Sequence, residues 1–283
     1  MKVGICGLGF VGQAIYSFLT NKTSDDSAHC HGSAGCHESA GCHETVVYDK
    51  YKKINRLDAL LSTDLVYICI PTPYEDRAKS YNMSEIDATL ALFAKMVYKG
   101  VILIKSTVLP DYCATMNKTY PDLKIIHNPE FLSAATAAND FANQRHIILG
   151  YTLQSQSAVA PIETFYKTLF PAALISVTSS YAAGLTKLAC NSFYATKVQF
   201  FTELFLLCDK IDTDYEEVKK LMLNNEWIHP MHTSVPGPDG QVSFGGACLP
   251  KDINALNQYM ILNKTHNGVL ESVIKERNGM RSD

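Results

Sequence analysis

The segment with the clearest chemical potential lies near residue 250 and reads Phe244-Gly245-Gly246-Ala247-Cys248-Leu249-Pro250-Lys251-Asp252. Two glycines before Cys248 allow a ligand to approach the backbone closely. A thiol beside a lysine or at a helix N-terminus has a lowered pKa and becomes a nucleophile. Asp252 would lie about one helical turn away if a helix begins at the cysteine. Considered alone, a single cysteine is more often a small buried hydrophobe, so the residue types leave both interpretations open.

A second pair of polar residues has helical spacing. Lys187 and Asn191 are four positions apart, and so share one face of the helix predicted from about residue 179 to residue 208. The middle of this helix, Phe193 to Leu207, is apolar nearly all round, which implies burial on several sides. Such a helix forms either a subunit interface or a spine between domains.

The N-terminus carries the pattern of a dinucleotide-binding fold. A short apolar strand, Lys2 to Cys6, runs directly into a glycine-rich turn, and a helix is predicted from Gln13 to Leu19. The turn has the Gly-x-Gly-x-x-Gly spacing that lets a pyrophosphate approach a helix N-terminus. The candidate cofactor residues of this turn are Gly7, Gly9, Phe10, Val11 and Gly12. The alternative is a structural glycine turn in another kind of α/β protein.

The acidic residue that such a fold needs after its second strand is Asp49, at the end of Thr45 to Asp49. It would bind the adenosine ribose and favour NAD over NADP. Lys50, Lys52 and Lys53 follow it and could soften that preference, although a solvated helix start is the plainer interpretation.

Asp49 lies 37 positions after Gly12 instead of about 20. The excess is a low-complexity insert over residues 21–44 with the tandem repeat Ser-Ala-Gly-Cys-His-Glu. Its Cys-His pairs could bind a soft metal, but their spacing matches no closed zinc site. We therefore expect a solvated loop and no metal site. It would lie at the edge of the sheet opposite to the cofactor.

Short apolar strands alternate with helical segments through the first half of the chain, which predicts an α/β fold with a doubly wound parallel sheet. Short segments that contain polar residues follow three of these strands. Parallel sheets of this kind bind ligands at the carboxyl ends of their strands. The three clusters are Pro71-Thr72-Pro73, Lys105-Ser106-Thr107 and Asn128-Pro129-Glu130. We expect a Rossmann-type domain over residues 1–178 and a mainly helical central domain over residues 179–283.

Composition narrows the function classes. The 283 residues are 47% hydrophobic and 19% charged, with a formal net charge of −3, so no overall positive field would attract nucleic acid or an anionic membrane. No apolar stretch is long enough to span a bilayer. Nine cysteines without an export signal favour free thiols in a reducing cytoplasm.

Six motifs, in this order, resemble the UDP-glucose/GDP-mannose dehydrogenase family over nearly the whole chain outside the insert. They are Gly7-Leu8-Gly9-Phe10-Val11-Gly12, Ile70-Pro71-Thr72-Pro73, Lys105-Ser106-Thr107-Val108, Asn128-Pro129-Glu130-Phe131-Leu132, Leu185-Thr186-Lys187-Leu188-Ala189-Cys190-Asn191 and the Phe244–Asp252 segment. The resemblance implies an NAD-linked four-electron oxidation of the C6 alcohol of a nucleotide sugar to a carboxylate, in two hydride transfers.

The resemblance also assigns roles to residues. Cys248 would form a thiohemiacetal and then a thioester, and Lys187 with Asn191 would stabilise charge on the C6 oxygen. Glu130 would act as the base or handle the hydrolytic water, which Thr107 and Asp252 would position. Further cofactor contacts are expected from Thr72, Pro73, Thr107 and Lys251. Further substrate contacts are expected from Phe131, Leu132, Phe244, Gly245 and Gly246.

The resemblance favours UDP-glucose as the substrate and a homodimer formed through the long helix. GDP-mannose and UDP-N-acetylhexosamines are alternative substrates. A two-electron β-hydroxyacid-type dehydrogenase shares the fingerprint and the Lys-x-x-x-Asn helix, but it would leave Cys248 idle. A non-catalytic protein that binds a metal or a sugar nucleotide is the third hypothesis.

The sequence departs from the family pattern in several places. Ala134 occupies a position where a glutamate is usual, so Glu130 should carry more of the acid–base work. His146 stands where an arginine is usual, with Arg145 beside it, and the region from Asp49 to Leu65 is short. The sequence ends 31 residues after Asp252, so we expect the third, UDP-binding domain to be missing. An open uridine site with a higher KM and lower turnover, or completion by a partner, would follow.

Overall fold

The computed structural model describes residues 1–20 and 43–282. The strands are β1 (Val3–Cys6), β2 (Thr45–Tyr48), β3 (Leu65–Ile68), β4 (Tyr74–Glu75), β5 (Ser80–Tyr81), β6 (Val101–Ile104), β7 (Lys124–His127), β8 (His146–Tyr151) and β9 (Leu174–Ser179). The helices are α1 (Phe10–Leu19), α2 (Ser84–Lys95), α3 (Tyr112–Thr119), α4 (Ala137–Ala142), α5 (Val159–Leu169), α6 (Ser180–Lys210), α7 (Tyr215–Leu223), α8 (Leu249–Leu262) and α9 (Gly268–Met280). Short 3-10 helices span Leu57–Ser62 and Gln156–Ala158.

The chain divides into two compact units. Unit 1 comprises Met1–Thr72 and Asn82–Lys187, and unit 2 comprises Pro73–Tyr81 and Leu188–Asp283. In sequence, Pro73–Tyr81 lies between the two parts of unit 1, but this short segment belongs to unit 2. Helix α6 begins in unit 1 and continues into unit 2.

Unit 1 is built on a seven-stranded sheet of order β2-β1-β3-β6-β7-β8-β9. Strands β1, β3 and β6 are buried along their whole length, as expected when helices cover both faces of a parallel sheet. Alternate residues supply two cores: Tyr67 and Leu103 face the core that holds α1, whereas Ile68 and Ile104 face the core that holds α2. The doubly wound fold class is confirmed.

One pair of neighbouring strands differs from the predicted parallel sheet. Strand β8 runs antiparallel to β7, with His127 opposite Gly150, and β9 then runs parallel to β8. Because apolar strands buried on both faces have the same composition in either direction, the sequence pattern could not show this reversal. The reversal brings the N-terminal end of β8, at His146, to the edge where β7 ends.

Unit 2 is mainly helical. One apolar cluster joins α6, α8 and α9 through Ala195, Ile253 and Val273, with Phe244 of the cysteine loop packed among them. A second cluster joins α6 and α7 through Phe201 and Tyr215. Pro73–Tyr81 forms the two-stranded antiparallel hairpin β4–β5, in which Tyr74 pairs with Tyr81.

Candidate functional site

The glycine-rich turn of unit 1 has the geometry that a dinucleotide needs. Gly7 has a φ of 93°, and a side chain there would lie 2.8 Å from the carbonyl oxygen of Cys69. A side chain at Gly12 would lie 2.0 Å from the carbonyl oxygen of Gly7. Around Gly9, by contrast, there is open space. The first and third glycines thus permit the turn and its packing, while the second leaves room for a ligand.

A cavity of about 500 Å³ adjoins this turn, and Phe10 and Asp49 are among the residues that line it. The carboxylate of Asp49 accepts hydrogen bonds from the backbone N–H groups of Leu8 (2.7 Å), Tyr51 (3.0 Å) and Lys52 (2.8 Å). Burial acts to raise the pKa of Asp49, but these hydrogen bonds together outweigh it and lower the pKa. The group is therefore an anion at neutral pH, suited to accept hydrogen bonds from ribose hydroxyls.

Two of the three lysines after Asp49 have partners in the structure. Lys50 Nζ lies 2.7 Å from Glu85 Oε1, and Lys52 Nζ donates to the carbonyl of Leu8 at 2.6 Å. Neither ammonium group is thus a free counterion for a phosphate. This arrangement is consistent with NAD rather than NADP.

The polar clusters after β3, β6 and β7 are held by buried or partly buried hydrogen bonds. Thr72 Oγ1 donates to the carbonyl of Thr107 at 2.7 Å, which ties the first two clusters together. In the third, Asn128 is fully buried; its side chain donates to Ile148 O on β8, and its backbone N–H donates to Ile104 O on β6. Asn128 therefore anchors the turn that presents Glu130.

Glu130 is a buried carboxylate with two donors. Its Oε1 lies 3.1 Å from Lys187 Nζ, and its Oε2 accepts the backbone N–H of Leu132 at 2.6 Å. Both side chains of the ion pair are at most 8% exposed. The Lys187 ammonium also lies 5.3 Å from the ring centroid of Phe131, which is 41% exposed. Unit 1 thus brings Glu130, Phe131, Leu132 and Lys187 together.

A second buried lysine accompanies this pair, and the sequence analysis gave it no role. Lys105 is 3% exposed, and burial lowers its pKa to about 8, with Lys187 acting in the same direction and Glu130 opposing it. Its neighbour His127 is also buried; burial, with the charge of Lys105, lowers the pKa of that imidazole to about 3 and keeps it neutral. Glu130 therefore has one ion-paired lysine, Lys187, and a second buried lysine, Lys105, within range of its charge.

Unit 2 positions the cysteine at a helix start. Cys248 is the N-cap residue of α8, with Pro250 in the first turn, where its missing N–H costs nothing. The thiol is half-buried and forms no disulfide. A cysteine at this place is exposed to the positive end of the helix dipole, which favours the thiolate.

Asp252 lies in the first turn of the same helix and is fully buried. Its Oδ1 accepts from Tyr81 Oη and Lys251 Nζ, both at 2.5 Å, and its Oδ2 accepts from Asn191 Nδ2 at 2.5 Å. Lys251 and Asn191, predicted to contact cofactor and substrate, are thus bound to Asp252. Tyr81 is a further partner that the sequence analysis missed; it lies in the β4–β5 hairpin, where no motif marked it.

The remaining predicted substrate residues lie in the loop before Cys248. Phe244 is buried in the core of unit 2, whereas Gly246 has a φ of 79° and open space around it. At Gly245 a side chain would collide with the guanidinium of Arg281, at 2.2 Å. Of the two glycines, only Gly246 has open space beside it for a ligand. Of the predicted cofactor residues, Pro73 and Lys251 belong to unit 2 and the others belong to unit 1.

No cluster of potential metal ligands occurs among residues 1–20 and 43–282. The Cys-His repeat up to residue 42 lies outside the described residues. In the part of the chain that the structure describes, no helix is long and apolar enough to cross a membrane.

The fold and the glycine turn define a Rossmann-type NAD-binding protein. Residues 42–170 match the NAD binding domain, and residues 181–278 the central domain, of the UDP-glucose/GDP-mannose dehydrogenase family. The chain belongs to this family.

A relative, the UDP-glucose 6-dehydrogenase of Rickettsia typhi, is 31% identical over 220 residues, which are 76% of this chain and 49% of the relative. The chain spans about half the length of the curated relatives it matches.

Solved structures show the same fold. A UDP-glucose dehydrogenase from Pyrobaculum islandicum has a TM-score of 0.80 at 20% identity, over 98% of this chain and 68% of that one. A 3-hydroxyisobutyrate dehydrogenase from Mycobacterium tuberculosis has a TM-score of 0.70 at 13% identity, and the match covers 97% of this chain and 91% of that one. At these identities the likeness concerns the fold alone, so the chemistry must be argued from the site residues.

Proposed function

We propose that this protein is an NAD-dependent UDP-glucose 6-dehydrogenase that oxidises the C6 alcohol of UDP-glucose to a carboxylate, giving UDP-glucuronate. The observation that carries the proposal is Cys248 at the N-terminus of α8, in the Gly-Gly-x-Cys-x-x-Lys-Asp loop. A two-electron alcohol dehydrogenation needs no thiol, whereas a four-electron oxidation gains from a covalent intermediate. The relatives named UDP-glucose 6-dehydrogenase favour this substrate over GDP-mannose and UDP-N-acetylhexosamines.

The proposed reaction consumes two NAD⁺ and one water. NAD⁺ supplies the hydride acceptor in both oxidations. In the first, the C6 hydroxyl loses its proton to a base and the carbon loses a hydride, which gives an aldehyde. The Cys248 sulfur then adds to this carbonyl to form a thiohemiacetal. Loss of a second hydride gives a thioester, and water releases the carboxylate and restores the thiol.

The carboxylate of Glu130 is proposed as the proton acceptor, because each of its oxygens accepts a single hydrogen bond and retains acceptor capacity. Lys187 and Asn191 would stabilise negative charge on the C6 oxygen during each step. Both have carboxylate partners in the structure, Glu130 and Asp252 respectively, which fix their side chains in advance. Thr107, tied to Thr72 through its carbonyl, would position the hydrolytic water.

A homodimer through α6 is part of the proposal. Phe193, Phe200 and Leu207 are 63%, 56% and 54% exposed and follow one another at seven-residue intervals, so they form one apolar stripe. Sedimentation velocity should give twice the chain mass for the wild type and a lower mass for Phe200→Glu. A monomeric wild type would refute this part of the proposal.

The deciding experiment measures NADH formed per UDP-glucose for the wild type, for Cys248→Ser and for the control Cys190→Ser, which changes a half-buried cysteine of α6 that forms no disulfide. Two NADH per sugar, lost only in Cys248→Ser, is the expected result. One NADH per sugar with an unaffected Cys248→Ser variant would replace the proposal by the two-electron dehydrogenase. Turnover with GDP-mannose or a UDP-N-acetylhexosamine alone would correct the substrate.

A further inference from the structure

We propose that Tyr81 is a positioning residue of the cysteine loop: its hydroxyl holds Asp252, and through Asp252 it fixes Asn191, Lys251 and the first turn of the helix that Cys248 begins. This inference rests on the proposed function for its kinetic consequence. Its structural part concerns unit 2 alone and can be tested without turnover.

The hairpin that carries Tyr81 belongs to unit 2 although its sequence interrupts unit 1. Its strands are only two residues long, and they pair Tyr74 with Tyr81. The Tyr81 side chain is 5% exposed, and its hydroxyl donates to Asp252 Oδ1 at 2.5 Å across 171 positions of sequence. A two-stranded hairpin of this size is marginal by itself, so buried contacts such as this one must hold it in place.

Asp252 has little acceptor capacity left. Its Oδ1 accepts from Tyr81 and from Lys251, and its Oδ2 accepts from Asn191. The Lys251 ammonium also lies 4.8 Å from the ring centroid of Tyr81, so the ring and the hydroxyl contact the same ion pair from one side. A fully buried carboxylate is costly unless its oxygens are hydrogen-bonded. Tyr81 meets part of that requirement.

The link to the thiol is short. The backbone N–H of Asp252 donates to the carbonyl of Cys248 at 3.1 Å, within the first turn of α8. Displacement of Asp252 would therefore move the helix start and the cysteine with it. It would also leave the carboxylate charge less compensated in the helical turn that Cys248 begins, which disfavours the thiolate that reacts.

Tyr81 acts as a donor and not as an acid. Burial, followed by the charge of Asp252, raises the pKa of the Tyr81 hydroxyl well above its ordinary value. The phenol therefore keeps its proton throughout the pH range of an enzyme assay. Its contribution is a fixed hydrogen bond to an anion.

The test removes the hydroxyl oxygen of Tyr81 by substitution. Tyr81→Phe keeps the ring, and Tyr74→Phe is the matched control, because Tyr74 belongs to the same hairpin and packs edge-on against Tyr81 at 6.2 Å between ring centroids. Alkylation of Cys248 by iodoacetamide at fixed pH, followed by peptide mass spectrometry, needs neither NAD nor a sugar nucleotide. We expect Tyr81→Phe to slow it at least about twofold, and Tyr74→Phe to leave it unchanged.

In the NADH assay, loss of a hydrogen bond to a buried charge should lower kcat by roughly 10- to 100-fold with KM for the sugar nucleotide within about twofold. A kcat and an alkylation rate both within the error of the wild type would overturn the inference. If no sugar nucleotide is turned over, the proposed function fails while the alkylation rate still decides the role of Tyr81.

A double-variant cycle with Asp252→Asn adds a second criterion. If Tyr81 acts through Asp252, the double variant should alkylate no more slowly than Asp252→Asn alone. Additive losses would contradict the mechanism. Should Tyr81→Phe not fold, Tyr81→His, which keeps a ring donor, is expected to alkylate faster than Tyr81→Leu, which has none and also keeps Asp252. Equal rates would again overturn the inference.

Discussion

The two buried carboxylates of this chain, Glu130 in unit 1 and Asp252 in unit 2, differ in what surrounds them. Each oxygen of Glu130 accepts one hydrogen bond, from Lys187 and from the N–H of Leu132. Asp252 accepts three, from Tyr81, Lys251 and Asn191. Glu130 also has the charge of the buried Lys105 nearby. With two lone pairs on each oxygen, Glu130 keeps two acceptor sites and Asp252 keeps one.

This difference separates two uses of a carboxylate. A group that must take up a proton needs an unoccupied lone pair and neighbours that compensate its charge. A group most of whose lone pairs are occupied serves better to hold its donors in place. We therefore expect Glu130 to act in proton transfer and Asp252 to act through the groups it binds. Four experiments can sharpen or break that distinction.

The largest effect is expected from Glu130→Gln. The amide cannot accept a proton in the reaction, so kcat should fall by about 10²- to 10⁴-fold while NAD still binds to the separate glycine turn. The control is Glu163→Gln, which alters a partly exposed glutamate paired with Lys167. Steady-state NADH assays give kcat, and a fluorescence titration gives the Kd for NAD. A loss of less than tenfold would make Glu130 only the partner of Lys187.

The next effect concerns the free energy of unfolding. Lys187→Met leaves Glu130 buried without its ion-pair partner, and breaking such a pair costs about 3–5 kcal/mol. Lys167→Met, which removes an exposed pair, should cost under about 1 kcal/mol in the same urea titration. The double variant Lys187→Met/Glu130→Gln should be more stable than Lys187→Met alone. If it is not, the two side chains do not act as a unit.

Much of the fold and the residue types of both carboxylate clusters could be predicted from sequence, because local patterns carry them. Gly7 to Gly12 follows a strand directly, and Asp49 ends the next strand despite the insert. The hydrogen-bond partners could not be predicted. Tyr81 reaches Asp252 from 171 positions away, in a hairpin of two-residue strands with no periodicity. Lys105 lay in a quoted motif, but its burial depends on how three strand ends pack together.

The surroundings of Glu130 also predict a pH dependence. Burial lowers the pKa of Lys105 to about 8 in the folded state, against about 10.4 in an unfolded chain. Between these values the unfolded chain binds the extra proton, so the free energy of unfolding rises with pH, and below about pH 8 the penalty is fully present. Lys105→Met should remove this slope and stabilise the protein at pH 7 by about 3 kcal/mol.

Urea titrations at pH 7 and pH 9.5 check this expectation, with the exposed strand residue Lys124 changed to Met as the control. The difference between wild type and variant isolates Lys105 from the tyrosines and cysteines that titrate in the same range. An identical pH slope in Lys105→Met would show that the ammonium is not destabilised by burial. A loss of kcat together with the gain in stability would mark Lys105 as a charge retained for the reaction.

The smallest effect is expected at the edge of the Asp252 cluster. Lys251 is 19% exposed, and the buried Asp252 keeps the neutral donors Tyr81 and Asn191 when the lysine is removed, so Lys251→Met should lower the free energy of unfolding by about 1.5–3 kcal/mol, less than Lys187→Met. As a proposed cofactor contact, Lys251 should instead affect NAD binding, with a Kd about five- to tenfold higher. Lys264→Met, which alters an exposed lysine beyond the end of α8, is the control. If Lys251→Met leaves the Kd for NAD unchanged and lowers kcat, Lys251 acts with Tyr81 and Asn191 as a donor to Asp252 and does not contact the cofactor. All three donors to Asp252 would then act on the cysteine loop, which would extend the contrast with Glu130, the carboxylate proposed to take up a proton.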